Sequence, residues 1–152
     1  MKYISGDLIV FLICAFICVG VFYFVLDDKT NITTKYELVT LSGDTFDMDV
    51  NVLITDDTAF AAKYVRDNLD STVTSADFDA RAVSFSTIDG KPPIIWMAST
   101  EDQGVIAHEI FHTALNIMYW TGMELNSETE EAFAYEVQHL TNSFYNQINI
   151  TK

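Results

Sequence analysis

Two histidines and a glutamate, in the string His108-Glu109-Ile110-Phe111-His112, stand in an order that suits one metal ion and one water molecule. The run around them, Val105–Trp120, reads as helix. At 3.6 residues per turn, positions four apart lie about 40° from each other and one turn along the axis. His108 and His112 can therefore aim two imidazole nitrogens at a common ion, with Glu109 beside them and not ligating it. That is the arrangement of metal-assisted hydrolysis, in which the carboxylate holds a water and takes its proton. Two histidines meeting on a helix by chance give the same string, so the reading needs a third ligand. Zinc in catalytic sites usually takes three protein ligands and keeps a fourth position for water.

The segment that follows offers one. Thr121-Gly122 is a helix stop, with Gly122 placed as the C′ residue. Met123–Asn126 then leads to Ser127-Glu128-Thr129-Glu130, which has the S-x-x-E form of a capping box. This gives Glu130 a local role and leaves Glu131 for another. Glu131 follows His112 after 18 intervening residues. Two antiparallel helices joined by a tight turn would return the first turn of the second helix toward the metal.

With Glu131-Ala132-Phe133-Ala134-Tyr135 downstream, the motif resembles the gluzincins, zinc peptidases whose third ligand is a glutamate on a later helix. More narrowly, Val105–Tyr145 is similar to small metallopeptidase-like proteins of tailed bacteriophages, which share the A-H-E-x-x-H start and an E-A-x-A-Y continuation. The resemblance covers the last third of the chain strongly and the middle third loosely. It implies one Zn2+ held by His108, His112 and Glu131, with Glu109 as general base. Leu115 and Met118 stand where a metzincin would carry Gly and a third His, and no N-E-x-x-S-D string surrounds Glu131.

The elements that must position these residues fit 152 residues, one domain and an appendage. Net charge is −14, with 8 basic residues against 22 acidic, so no nucleic-acid partner is expected. Leu8–Leu26 is an unbroken apolar run of 19 residues, just long enough for a hydrocarbon core of about 30 Å. It has no polar face and no small residues at a cleavage site, which points to an uncleaved signal anchor in a lipid bilayer. Lys2 and the amino terminus place more positive charge before the run than after it, an N-inside orientation with an extracytoplasmic catalytic domain. Cys14 and Cys18 both lie in that run, leaving the globular part without a disulfide. The expected organisation is an anchor at 1–28, a tether at 29–35 and a zincin-like domain at 36–152.

Within that domain the expected class is α+β: a small sheet, a backing helix, the metal helix and the glutamate helix. Tyr36–Leu41 reads as a strand, and Phe46, Met48, Val50, Val52 and Ile54 alternate as a second. Thr55-Asp56-Asp57 caps a helix to about Leu69. Phe78–Ser86 reads as a third strand, and Asp89-Gly90 as a hairpin turn leading to Ile94-Ile95-Trp96-Met97. Lys91-Pro92-Pro93 at its start argues for an edge strand. The resemblance gives such a strand, just before the metal helix, the role of pairing with a peptide or protein substrate's backbone. Thr100-Glu101-Asp102-Gln103 is a capping-box-like start for the metal helix. In the last helix Phe133, Val137, Leu140, Phe144 and Ile148 form one stripe, with Glu131, Ala134, Tyr135 and Tyr145 on the other side, as for a helix wedged between two partners. Tyr135, one turn beyond Glu131, can bond that carboxylate or an oxyanion, with core packing the plainer role. His139 is a candidate oxyanion partner or an ordinary surface histidine. Peptide hydrolysis competes with a catalytically silent zincin-fold binding protein and with hydrolysis of a non-peptide amide such as a cell-wall bond.

Overall fold

The computed structural model describes residues 35–43 and 45–150; the expected anchor at 8–26 and nearly all of the tether lie outside the described residues. Among the described residues no helix is long and apolar enough to cross a membrane. The fold is α+β, with strands β1 (Glu37–Leu41), β2 (Val50–Ile54), β3 (Ala82–Phe85) and β4 (Ile94–Met97), and helices α1 (Thr58–Asn68), α2 (Gln103–Trp120) and α3 (Glu130–Ile150). The strands lie in the order β1-β2-β4-β3, antiparallel at both outer pairs and parallel between β2 and β4.

Period-two patterning divides the core between the two faces of this sheet. Val50, Val52, Ile95 and Met97 point to the face covered by α2 and α3, where Ile106, Ile110, Ile117, Leu140 and Phe144 meet them. Leu53, Ile94 and Trp96 point to the other face and pack on Ala61 and Val65 of α1 and on Leu69 just after it. Each fully buried side chain of this size contributes about 1.5–3 kcal/mol. Trp96 also donates its indole N–H to the Thr55 carbonyl at 2.9 Å, so its one polar atom is satisfied inside the core. With both faces covered, β4 is buried at all four positions.

The expected edge strand is therefore corrected. Ile94, Ile95, Trp96 and Met97 form an interior strand, paired to β2 on one side and β3 on the other. Pro92 and Pro93 precede the ladder and remove no donor from it; the Pro93 carbonyl instead accepts the Asn51 N–H at 3.0 Å. The edge on this side is β3, joined to β4 through the Ile88–Lys91 bridge over Asp89 and Gly90, both at positive φ as a two-residue hairpin turn demands. β2 is shorter than its alternation suggests, because Phe46–Asp49 belongs to a loop folded back on Gly43. A Cβ at Gly43 would stand 2.2 Å from the Met48 nitrogen, so only glycine admits that approach. Residues Ser75–Phe78 form a 3-10 turn before β3, where the Thr74 amide and hydroxyl hold the Asp77 carboxyl below the usual carboxylate range.

The helix ends also differ in detail. Asp57 caps α1 by accepting from the Phe60 N–H at 2.9 Å. Asp102, not Thr100, caps α2, its carboxylate accepting from Gly104 and Val105 N–H groups. At the other end of α2, Gly122 has φ of 81°, and the Met123 and Gly122 N–H groups return to the Met118 and Tyr119 carbonyls. These two bonds are a complete Schellman stop. The capping box expected over Ser127–Glu130 does not form. Asn126 organises a turn there, accepting from Glu128 and Glu130 N–H groups, and α3 begins at Glu130.

Candidate functional site

Helix α2 presents the histidine pair on its solvent side, with His108 and His112 both exposed. Their Nε2 atoms are 3.1 Å apart and the rings stand nearly perpendicular, with centroids at 4.5 Å. Two nitrogens bound to one tetrahedral zinc at about 2.0–2.1 Å would lie about 3.3 Å apart. The pair is spaced as two ligands of one ion would be, and in this structure the contact is a hydrogen bond between the rings. Glu109 projects to the side and is 7% exposed, enclosed where the histidines are open. A cleft of about 330 Å³ joins these three residues and Asn116 to Ala82, Val83 and Ser84 of β3.

The backbone of β3 faces this cleft in a defined way. Register pairs Ala82 with Met97, Val83 with Trp96 and Ser84 with Ile95, and the Ala98 N–H bonds the Arg81 carbonyl at 2.9 Å. In an antiparallel ladder, hydrogen-bonded and non-bonded pairs alternate. Arg81 and Val83 therefore turn their backbone groups toward β4, and Ala82 and Ser84 turn theirs outward to the open edge. An exposed ion pair between Arg81 and Asp102, at 3.1 Å, ties the start of β3 to the N-terminus of α2. It contributes at most about 1 kcal/mol. A larger depression of about 790 Å³ lies around that ion pair and contains neither histidine.

The second helix does return beside the first. Phe111 stands edge-on to Phe133 of α3 with centroids 5.1 Å apart, and edge-on to His112 at 6.1 Å. The first turn of α3 is thereby brought to the His112 turn of α2. Glu131, in that first turn, is exposed. Among the described residues no three His, Cys, Asp or Glu side chains are grouped closely enough to hold a metal ion, so Glu131 stands apart from the histidine pair in this structure. His108 and His112 are neighbours on α2, and Glu131 lies on the first turn of α3.

Neither Tyr135 nor His139 lines the cleft. Tyr135 is 57% exposed and does not pack in the core, and Ala134 is exposed as well, but α3 does meet two partners, α2 through Phe133 and the sheet at β1. His139 brings Nε2 within 2.7 Å of the Ser42 carbonyl, just beyond β1. That strand is at the opposite edge of the sheet from β3, so His139 ties α3 to the sheet and lies outside the cleft.

The cleft contains two features that sequence reasoning missed. Asn116 lies four residues after His112, a spacing legible in the sequence. The role of β3 also had a signal: Ile94–Met97 is continuously apolar, as a strand buried on both faces is, whereas Ala82-Val83-Ser84 is mixed. Compared with protein-family models, with curated proteins and with solved structures, the chain matches none. Function must be argued from the cleft alone.

Proposed function

We propose that the chain is a membrane-anchored, zinc-dependent peptidase whose cleft lies between α2 and the free edge of β3. One observation carries this reading: the two Nε2 atoms converge to 3.1 Å beside an enclosed Glu109, in a cleft floored by an open strand edge. His108 and His112 would hold the ion, with Glu131 as the third donor. Zinc, when bound, would acidify a water toward neutral pH and polarise the carbonyl it meets. Glu109 takes the proton from the attacking water as the water oxygen bonds the carbonyl carbon. It then returns that proton to the departing amine nitrogen as the C–N bond breaks. Ala82 and Ser84 supply outward backbone groups for an extended peptide added to the sheet. The exposed histidines and half-open cleft admit a chain from solvent, which suits a peptide better than a small ligand.

A catalytically silent binding protein on the same fold is the second reading, favoured by the separation of Glu131 from the histidine pair. Metal analysis and casein hydrolysis on the full-length chain distinguish the two. Glu109→Gln should keep its zinc and lose turnover by roughly 10²–10⁴-fold, since an amide cannot accept the water's proton. A wild-type chain that holds zinc and cleaves nothing would establish the silent reading. A wild-type chain that binds no zinc would end the peptidase proposal.

A further inference from the structure

Asn116 is a polar side chain in the cleft that the hydrolytic scheme does not use. It lies seven residues beyond Glu109, which at about 100° per residue puts both on nearly the same side of α2, the side toward β3. It is about 6 Å further along the helix axis than His112, from four residues at about 1.5 Å each. Asparagine is a poor helix former relative to alanine. Neither end of α2 explains its presence, because the N-cap is Asp102 and the C-terminal carbonyls are closed by Gly122 and Met123.

A peptide added to β3 gives this side chain a partner. Ala82–Ser84 and the two turns from His108 to Asn116 line one cleft, so a strand laid on β3 runs beside α2. An extended chain turns its peptide groups alternately to its two sides. Those facing the sheet meet Ala82 and Ser84; the others are left for polar groups elsewhere in the cleft, of which the Asn116 carboxamide is one. A carboxamide carries both an acceptor oxygen and donor hydrogens, which complement either half of a peptide group. Because an extended chain advances about 3.3 Å per residue, 6 Å corresponds to roughly two residues. We propose that Asn116 clamps the main chain of an extended peptide substrate, bonding a peptide group about two residues from the scissile bond. The proposal rests on the peptidase reading of the site and makes Asn116 a positioning residue that touches substrate without entering the chemistry.

The test uses the full-length, zinc-loaded chain in detergent and a labelled synthetic peptide spanning one bond that the wild type cleaves in casein. Binding is measured by fluorescence anisotropy in the Glu109→Gln background, where no turnover occurs. Asn116→Ala should weaken binding roughly 5- to 150-fold, the range for one hydrogen bond whose partner is left unmet. Zinc content should not change, and the melting temperature should hold or rise, because alanine is the better helix former. Peptide bonds are then replaced by esters one at a time. One ester, about two residues from the scissile bond, should weaken binding to the parent and make no difference to Asn116→Ala. Asn116→Leu, similar in shape and without polar atoms, should repeat both results and serves if alanine disturbs folding. Equal peptide affinity with and without the carboxamide, or a loss independent of ester position, overturns the clamp and leaves the peptidase reading intact. If the wild type neither cleaves nor binds any casein peptide, the peptidase reading fails and the clamp with it.

Discussion

Glu130 and Glu131 open α3 side by side, both exposed, with side chains about 100° apart around the helix. Glu131 is the proposed third zinc donor, although neither carboxylate is grouped with the histidine pair among the described residues. Glu131→Ala should lower zinc affinity by more than the roughly 10–100-fold typical of an outer partner, because it removes a direct ligand. Glu130→Ala should leave zinc affinity nearly unchanged. With no capping box at Ser127, its remaining part is a negative charge near the helix N-terminus, worth about 0.3–1 kcal/mol. Equilibrium dialysis against a zinc chelator, with urea melts alongside, measures both quantities. The opposite pattern, zinc lost with Glu130 and kept with Glu131, would move the third donor by one residue and turn the helix face accordingly. The histidine pair was legible from spacing alone, since i,i+4 geometry is local. The separation of Glu131 from that pair was not, because it depends on how the Asn126 turn sets the start of α3.

At the scale of elements, local chemistry announced the strands, the three helices and the stops of the first two, and the Gly122 stop agreed to the residue. Strand order was the part that local chemistry concealed. Pro92-Pro93 suggested an edge, but an edge is a property of partners, and β4 finds β2 and β3 on its two sides. The helix caps slipped by a residue or two for a similar reason: Asp102 and Asn126 compete with nearby Thr and Ser for the same backbone donors. Proline substitution separates edge from interior. Ser84→Pro removes an N–H that faces the open edge and none that faces β4, so zinc binding and folding should survive while peptide hydrolysis falls. Ile95→Pro places the ring in the middle of the sheet, where loss of a ladder bond and packing should cost about 3 kcal/mol or more. It should unfold the domain and lose zinc and activity together. Casein turnover, zinc content and circular dichroism on both variants check the contrast; full activity in Ser84→Pro would remove β3 from the substrate's path.

For the whole molecule, the question is what buries Leu8–Leu26. Both faces of the sheet are already covered by elements of the unit Thr34–Lys152, α1 on one side and α2 with α3 on the other. Within that unit Leu41, Val52, Ile95, Trp96, Ile110 and Phe144 are all at or near zero exposure. Leu8–Leu26, an apolar run of 19 residues, lies outside that unit in the sequence. As a helix at 1.5 Å per residue it would be about 28 Å long, close to the thickness of a hydrocarbon core. Leaving it in water would expose far more apolar surface than soluble proteins tolerate. On the proposed anchored reading a bilayer would remove that cost, and the net charge of −14 argues against a surface-bound alternative on anionic lipid. The full-length chain should remain with membranes through an alkaline carbonate wash and come into solution only with detergent. A chain starting at Thr34 should be soluble without detergent and keep its zinc, since the core and the histidine pair lie within it. Full-length protein recovered as a detergent-free soluble monomer would refute the anchor while leaving the cleft and its chemistry untouched.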